Sequence, residues 1–384
     1  MPSLLRHFEC PGCHRTWSPR EPATYCTGCE RTLRSVYDLA AARDRLSLAS
    51  LRARGPSLWR FQELLPILDP GNQVTLGEGE TPILPVEEPR YAPGLTLLVK
   101  DDGLLPTGSF KARGMAVAVS RARELGIGTV MVPSAGNAGA ALAAYARRAN
   151  ITARIYMPRD APRSARDQVT AYGGTLRLVE GHIGDAGRIA REEAKGSGAF
   201  DISTLREPGR AEGKKTMGLE IAVALGPGSL PDAIVYPTGG GTGLLGMHHA
   251  FQELTEMGWI EKVPRLYAAQ SSGCAPVVEA LRKGRSRVEP VAHPETIAAG
   301  LRVPNPFSSE DILQAVRSTG GGGVAVPDPA ILEATRWMAS RHGISICREA
   351  GCALAGIRLL REEGTLDAGE RVLLYNTGTG LVEG

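Results

Sequence analysis

Aromatic side chains make up only 5% of the 384 residues, and the formal net charge is +3, with acidic and basic groups mixed along the chain. The chain therefore lacks the one-signed field and the stacking surface by which proteins grip nucleic acid, and no nucleic-acid partner is expected. Long apolar runs are missing too. None approaches the roughly 20 residues that cross a bilayer, so no membrane partner is expected. No secretory leader is seen before the first cysteines, and a reducing, cytoplasmic location is expected. Internal repeats are absent, and Gly320–Gly323 is the one low-complexity run, expected to be a flexible loop.

Four of the seven cysteines fall in two C-x-x-C pairs, Cys10 with Cys13 and Cys26 with Cys29, with twelve residues between them. Two such knuckles can set four thiolates around one structural Zn²⁺. Cys13-His14 also completes a haem-attachment pattern, but that reading leaves two surplus thiols. A disulfide pair fits a reducing compartment poorly. Residues 1–34 are thus expected to be a zinc ribbon, with His7 and His14 as surface histidines. After it, Tyr37–Arg54 is rich in Ala, Leu and Arg at helical spacing. Cys274, Cys347 and Cys352 have no metal-type spacing and are expected to be small buried apolar residues.

What the chain does have is Pro106-Thr-Gly-Ser-Phe-Lys111, a small-residue turn that delivers one lysine after the strand-like run Leu95–Lys100. A lysine so placed can hold an aldehyde cofactor as a Schiff base and then move protons, which points to pyridoxal-phosphate chemistry. Ser134-Ala-Gly-Asn-Ala-Gly139 follows the apolar run Thr129–Val132 and precedes an Ala-rich helical stretch. Tyr236-Pro-Thr-Gly-Gly-Gly-Thr-Gly-Leu244 follows Ala233–Val235, and its glycines let backbone amides converge on an anion at a helix N-terminus. The spacing matches neither common nucleotide loop. From Val99 onward, short apolar strands (129–132, 153–157, 175–179, 233–236, 266–270, 371–375) alternate with Ala-rich helices, which predicts an α/β protein with parallel sheets.

From about residue 75 to the end the chain resembles the threonine synthase family within the fold-type-II pyridoxal-phosphate enzymes, the tryptophan synthase β-like fold. The resemblance is carried by PTGSFKARG at 106–114, SAGNAG at 134–139, EGKKTMGLE at 212–220, PTGGGTGLLGM at 237–247 and NTGTG at 376–380. It implies two parallel-sheet subdomains in a catalytic body at 35–384, the smaller within about 111–225. It implies that Lys111 holds the cofactor, that Asn137 bonds its phenolic oxygen, that Gly239, Gly240, Gly241, Thr242 and Gly243 cradle its phosphate, and that Thr377 faces its ring nitrogen. Ser134, Ala135, Gly136 and Lys214 would bind the substrate, a small and phosphorylated amino acid, and the chain would be a homodimer. Lys215 and Arg210 are further candidates for a substrate phosphate; Arg154, Arg159, Arg163 and Arg166 are expected on a solvated helix.

The activity so implied is a lyase-type replacement turning O-phosphohomoserine into threonine and phosphate. A serine or threonine dehydratase and a cysteate-synthase-like replacement enzyme stand as alternatives. Two departures from the family pattern keep them open: Ala135, where a hydroxyl is usual, and the Cys347–Cys352 run, which keeps Glu349 but places Arg348 before it and Cys352 after the glycine.

Overall fold

The computed structural model describes residues 2–382. In chain order the elements are β1 Leu5–Glu9, β2 Thr16–Trp17, β3 Tyr25–Cys26, β4 Arg31–Thr32, β5 Arg34–Tyr37, α1 Leu39–Arg45, α2 Leu48–Ala53, β6 Ile83–Val86, β7 Thr96–Asp101, α3 Lys111–Glu124, β8 Thr129–Pro133, α4 Asn137–Arg148, β9 Thr152–Pro158 and α5 Arg163–Ala171. There follow β10 Thr175–Val179, α6 Ile183–Ser197, β11 Phe200–Asp201, α7 Pro208–Leu225, β12 Ala233–Pro237, α8 Thr242–Glu256, β13 Arg265–Ser271, α9 Pro276–Arg282, α10 Ser309–Ser318, β14 Gly323–Val326, α11 Asp328–His342, α12 Arg348–Glu362 and β15 Arg371–Asn376. They group into two units. Unit 1 is the chain through Glu80 together with Lys111–Met217; unit 2 is Thr81–Phe110 together with the chain from Gly218 on.

Unit 1 holds a four-stranded parallel sheet in the order β10-β9-β8-β11. Its α4 is lined with alanine, so the helix lies close on the strands; a Cβ added at Gly139 would stand 2.6 Å from Met157 Cε. Met131, Tyr156, Val179, Ala186 and Ala190 close a core between the sheet and α6. The N-terminal part is an antiparallel sheet β2-β1-β5 beside the hairpin β3–β4. Its own core contains Phe8, Cys10, Cys26, Leu33 and Tyr37. β5 pairs back to β1 as far as Tyr37, and these strands belong to the same unit as 111–217.

Unit 2 is built on a six-stranded sheet, β14-β13-β12-β15-β7-β6, with α12 lying across its centre. Every neighbouring pair is parallel except β6 with β7, joined by a link too short for a crossover helix and therefore antiparallel. The Gly320–Gly323 run is a tight turn, and not the flexible loop expected. Gly320 has φ of 70°, a Cβ at Gly321 would fall 1.9 Å from the Leu266 carbonyl oxygen, and Gly323 already opens β14 against β13. Close backbone approach, not mobility, is what those glycines serve. Among the described residues no helix is long and apolar enough to cross a membrane.

Candidate functional site

In unit 1 the first residue of α3 is Lys111. Gly114 follows one turn later on the same face, and α7 crosses there at backbone distance. A Cβ at Gly213 would lie 2.2 Å from the Arg113 carbonyl oxygen, and one at Gly114 would lie 3.0 Å from that of Arg210. The close crossing carries Lys214 with it. Its side chain is buried, with Nζ 3.4 Å from the position of a Gly114 Cβ, so a second ammonium stands over the face of α3 that begins with Lys111. Arg113, fully buried, donates to Thr216 Oγ1 at 3.1 Å. Nothing local in the sequence marks this approach; the glycines at 114 and 213 are the only signal.

The loop before α4 is arranged differently from expectation. The Ser134 hydroxyl donates to the Gly136 carbonyl (3.0 Å) and accepts from the amides of Gly136 (3.1 Å) and Gly139 (3.0 Å). It braces its own loop. The N-cap of α4 is Gly136, which has no side chain to offer, and with the Gly139 amide taken by Ser134 it is the amides of Asn137 and Ala138 that suit an anion. The half-buried Ala135 adds no donor.

Unit 2 carries the glycine loop between β12 and α8. A Cβ at Gly239 would meet the Gly300 carbonyl oxygen at 2.1 Å, one at Gly243 the Tyr236 hydroxyl at 2.0 Å, and Gly241 has φ of 71°. No other residue fits these positions. Gly241 also gives α8 no side-chain cap, so the amides at its buried N-terminus point into the loop. Glu349 is part of the brace: its Oε1 accepts from the Gly300 amide at 2.7 Å, and Gly300 is the turn against which Gly239 packs. The sequence pattern singles out Glu349 without indicating this task.

Thr377, buried, follows β15 and is held from two sides within unit 2. Its carbonyl accepts from the Phe110 amide at 2.9 Å, so the residue before Lys111 in sequence is tied to it. The amide of Cys347 donates to the Gly378 carbonyl at 3.1 Å and to Asn376 Oδ1 at 3.2 Å. Cys347 Sγ is 3.4 Å from Thr377 Oγ1. Cys347 is thus not merely an apolar filler, whereas Cys352 is fully buried in the core of α12.

The ribbon brings Cys10, Cys13, Cys26 and Cys29 together, with one sulfur each all within 4.8 Å of one another. Burial would raise the Cys26 thiol, but the amides of Cys29 and Gly28 and the neighbouring thiols of Cys10 and Cys13 bring it down to about 7. The ribbon also docks on α7 within unit 1. Tyr37 donates to Glu212 Oε2 at 2.7 Å, the same carboxylate pairs with Lys215 at 2.7 Å, and Lys215 Nζ lies 3.9 Å from the Tyr37 ring centroid. Lys215 is therefore occupied structurally, as is Arg210, which donates to the Ile202 carbonyl. The four arginines expected on one solvated helix are divided between two elements. Arg163 and Arg166 lie at the start of α5, with Arg163 exposed, but Arg154 sits on β9 and Arg159 directly after it, because the apolar alternation around 153–157 makes a strand.

The family model described as pyridoxal-phosphate dependent enzyme matches residues 74–378. The sequence is 34% identical to the threonine synthase of Methanocaldococcus jannaschii over 97% of this chain and 92% of that protein. It is 32% identical to the threonine synthase of Mycobacterium tuberculosis over 84% of this chain and 87% of that protein. Among solved structures, maize serine racemase superposes with a TM-score of 0.69 at 21% identity, covering 87% of this chain and 94% of that one. The processed form of threonine deaminase isoform 2 from Solanum lycopersicum does so at 0.68 and 20%, covering 99% and 94%. At those identities the structural likeness shows the fold.

Proposed function

The chain belongs to the pyridoxal-phosphate dependent enzymes, and from that premise we propose that it is a lyase of the threonine synthase kind, converting O-phosphohomoserine and water to threonine and phosphate. Its residues fit the cofactor. The uncapped, glycine-only entrance of α8 suits a phosphate, and neither Gly239 nor Gly243 leaves room for a side chain. Lys111 would hold the cofactor, Gly239, Gly240, Gly241, Thr242 and Gly243 its phosphate, Asn137 its phenolic oxygen, and Thr377 its ring nitrogen. When bound, the cofactor would supply an electron sink for charge developing at the substrate Cα, and a neutral hydroxyl from Thr377 at its ring nitrogen would leave it a weaker sink than a carboxylate would, favouring elimination and replacement over transamination.

The observation that carries the reading is the buried Lys214 ammonium over the Lys111 face of α3. A single lysine suffices to move a proton; a second lysine, buried against α3 one turn along from Lys111, suits a substrate with a dianionic phosphate. The open amides of α4 would take the substrate carboxylate, with Ser134 shaping the loop. Lys111 would then remove the Cα proton, carry protons at Cβ while the Cγ–O bond breaks and phosphate leaves, and return a proton after water has added at Cβ. The four ribbon thiols have the donor set and mutual spacing of a closed structural zinc site, and Zn²⁺ is the ion proposed there.

The test incubates the holoenzyme separately with O-phosphohomoserine, O-phosphoserine, threonine and serine, following phosphate, 2-oxo acid and product mass. Threonine and phosphate in equal amounts from O-phosphohomoserine is the expected result. A 2-oxo acid from threonine or serine, with no threonine formed, would make the protein a dehydratase.

A further inference from the structure

We propose that Cys347 is a positioning residue for Thr377, its thiol fixing the direction in which the threonine hydroxyl donates. This rests on the reading that Thr377 faces the ring nitrogen of the cofactor. A threonine hydroxyl has one proton to give and lone pairs to receive with. Cys347 Sγ lies 3.4 Å from Thr377 Oγ1, and both residues are buried, 2% and 5% exposed. If the thiol donates to Oγ1, the hydroxyl proton turns outward and the ring nitrogen accepts it, so that nitrogen stays unprotonated. If the hydroxyl instead spent its proton on sulfur, it could only receive from a protonated ring.

The surroundings leave the pair little freedom to rearrange. Residues 346 and 379 form an antiparallel bridge, as do 109 and 378, so the segment bearing Thr377 is held between two others. The Cys347 amide is bonded to both Gly378 and Asn376, and Asn376 in turn donates to Asp101 Oδ1 at 2.7 Å. Cys347 also sits at the N-cap of α12 without capping it through its side chain, so the sulfur is not engaged there. A buried S–H beside a hydroxyl is a weak donor, but with water excluded it decides which of two proton arrangements prevails.

The test compares Cys347→Ala, Cys347→Ser and Thr377→Val, each loaded with pyridoxal phosphate carrying a labelled ring nitrogen. The readouts are the cofactor dissociation constant and the nitrogen NMR shift of the ring. Cys347→Ala is expected to raise the dissociation constant about three- to tenfold, the size of one net hydrogen bond, and to move the ring shift towards the protonated value. Cys347→Ser keeps a donor and should restore both. Should the alanine variant fail to fold, Cys347→Val, which fills the volume without a donor, replaces it. Wild-type values in the donorless variant, or the same change in the serine variant, would overturn the role of Cys347 alone while Thr377→Val still moves both readouts. No change in Thr377→Val would remove the Thr377 reading and this inference with it.

Discussion

Lys100 Nζ stands 2.8 Å from Glu220 Oε2, and neither side chain is more than 1% exposed. The lysine also donates to the carbonyl (2.7 Å) and hydroxyl (2.5 Å) of Thr81, so its three protons are all used. A buried pair so complete is costly to break and less costly to replace. Lys100→Met alone should lower the unfolding free energy by about 3–5 kcal/mol, because Glu220 is left charged in the core, and adding Glu220→Leu should recover much of it. Urea titrations of the wild type, the single and the double variant decide the matter. A single variant no worse than the double would contradict the account.

Lys111→Ala should abolish turnover and the absorbance trapped by borohydride reduction, while the far-ultraviolet circular dichroism stays that of the wild type. Lys111 stands half-buried at the very head of α3, where alanine is a good helix former. Retained turnover would end the assignment of this lysine.

Gly243→Ala is the corresponding test of the phosphate loop. Its added carbon would stand 2.0 Å from the Tyr236 hydroxyl, in a stretch buried on both sides, so either the ring or the first turn of α8 must shift. An overpacking cost of about 1–3 kcal/mol is expected, together with a loss of cofactor affinity measurable by dialysis against pyridoxal phosphate. Gly258→Ala serves as a control for strain alone, since its φ is 70° but nothing lies within 4 Å.

The parts of the molecule legible in the sequence are those written in local pattern. The apolar runs at 129–132, 175–179, 233–236 and 371–375 all lie in strands, and the glycine loop and the four ribbon cysteines stand where their spacing put them. The helical stretch expected at 37–54 is broken into α1 and α2, because Ser47 caps a new helix and Tyr37 is taken by β5. What could not be read are meetings between residues far apart in sequence: Lys214 with Gly114, Cys347 with Thr377, Tyr37 with Glu212. Each depends on how a helix crosses another or where a loop returns, and no period of 2 or 3.6 encodes that. The loop-bracing bonds of Ser134 escape sequence pattern for a related reason: a serine before a helix can serve its own backbone as readily as a ligand.

Loss of the zinc proposed for the ribbon should be felt in unit 1. Cys10 and Cys26 belong to a small cluster with Phe8, Leu33 and Tyr37, against which Cys29 packs, too little apolar surface to hold such a module alone. Cys10→Ser is expected to abolish one equivalent of zinc by atomic absorption and to lower the melting temperature. Because Tyr37 reaches Glu212 on α7, proteolysis should then open sites in both the ribbon and residues 203–216. Unchanged melting with zinc lost would reduce the metal to an occupant without structural weight.

Glu207 supplies a pH dependence whose sign can be worked out. Burial raises its carboxyl from 4.5 to about 7, against the opposing pull of the Gly209 and Arg210 amides and of the Arg121 and Arg210 guanidinium groups. The folded state therefore binds this proton more tightly than the unfolded chain does. Its contribution to stability is fully present below pH 4.5 and is lost as the pH rises through 7. Glu207→Gln keeps one of the two oxygens that accept from the Gly209 and Arg210 amides, a loss that does not vary with pH, and has no charge to bury. The difference in unfolding free energy between the variant and the wild type should consequently move in favour of the variant by on the order of 3 kcal/mol between about pH 4.5 and pH 8. Urea unfolding at the two ends of that window measures it. A difference that stays flat across the window would mean that Glu207 ionises as an ordinary carboxyl, held charged by Arg121 and Arg210, and that the start of α7 is an ion-paired turn.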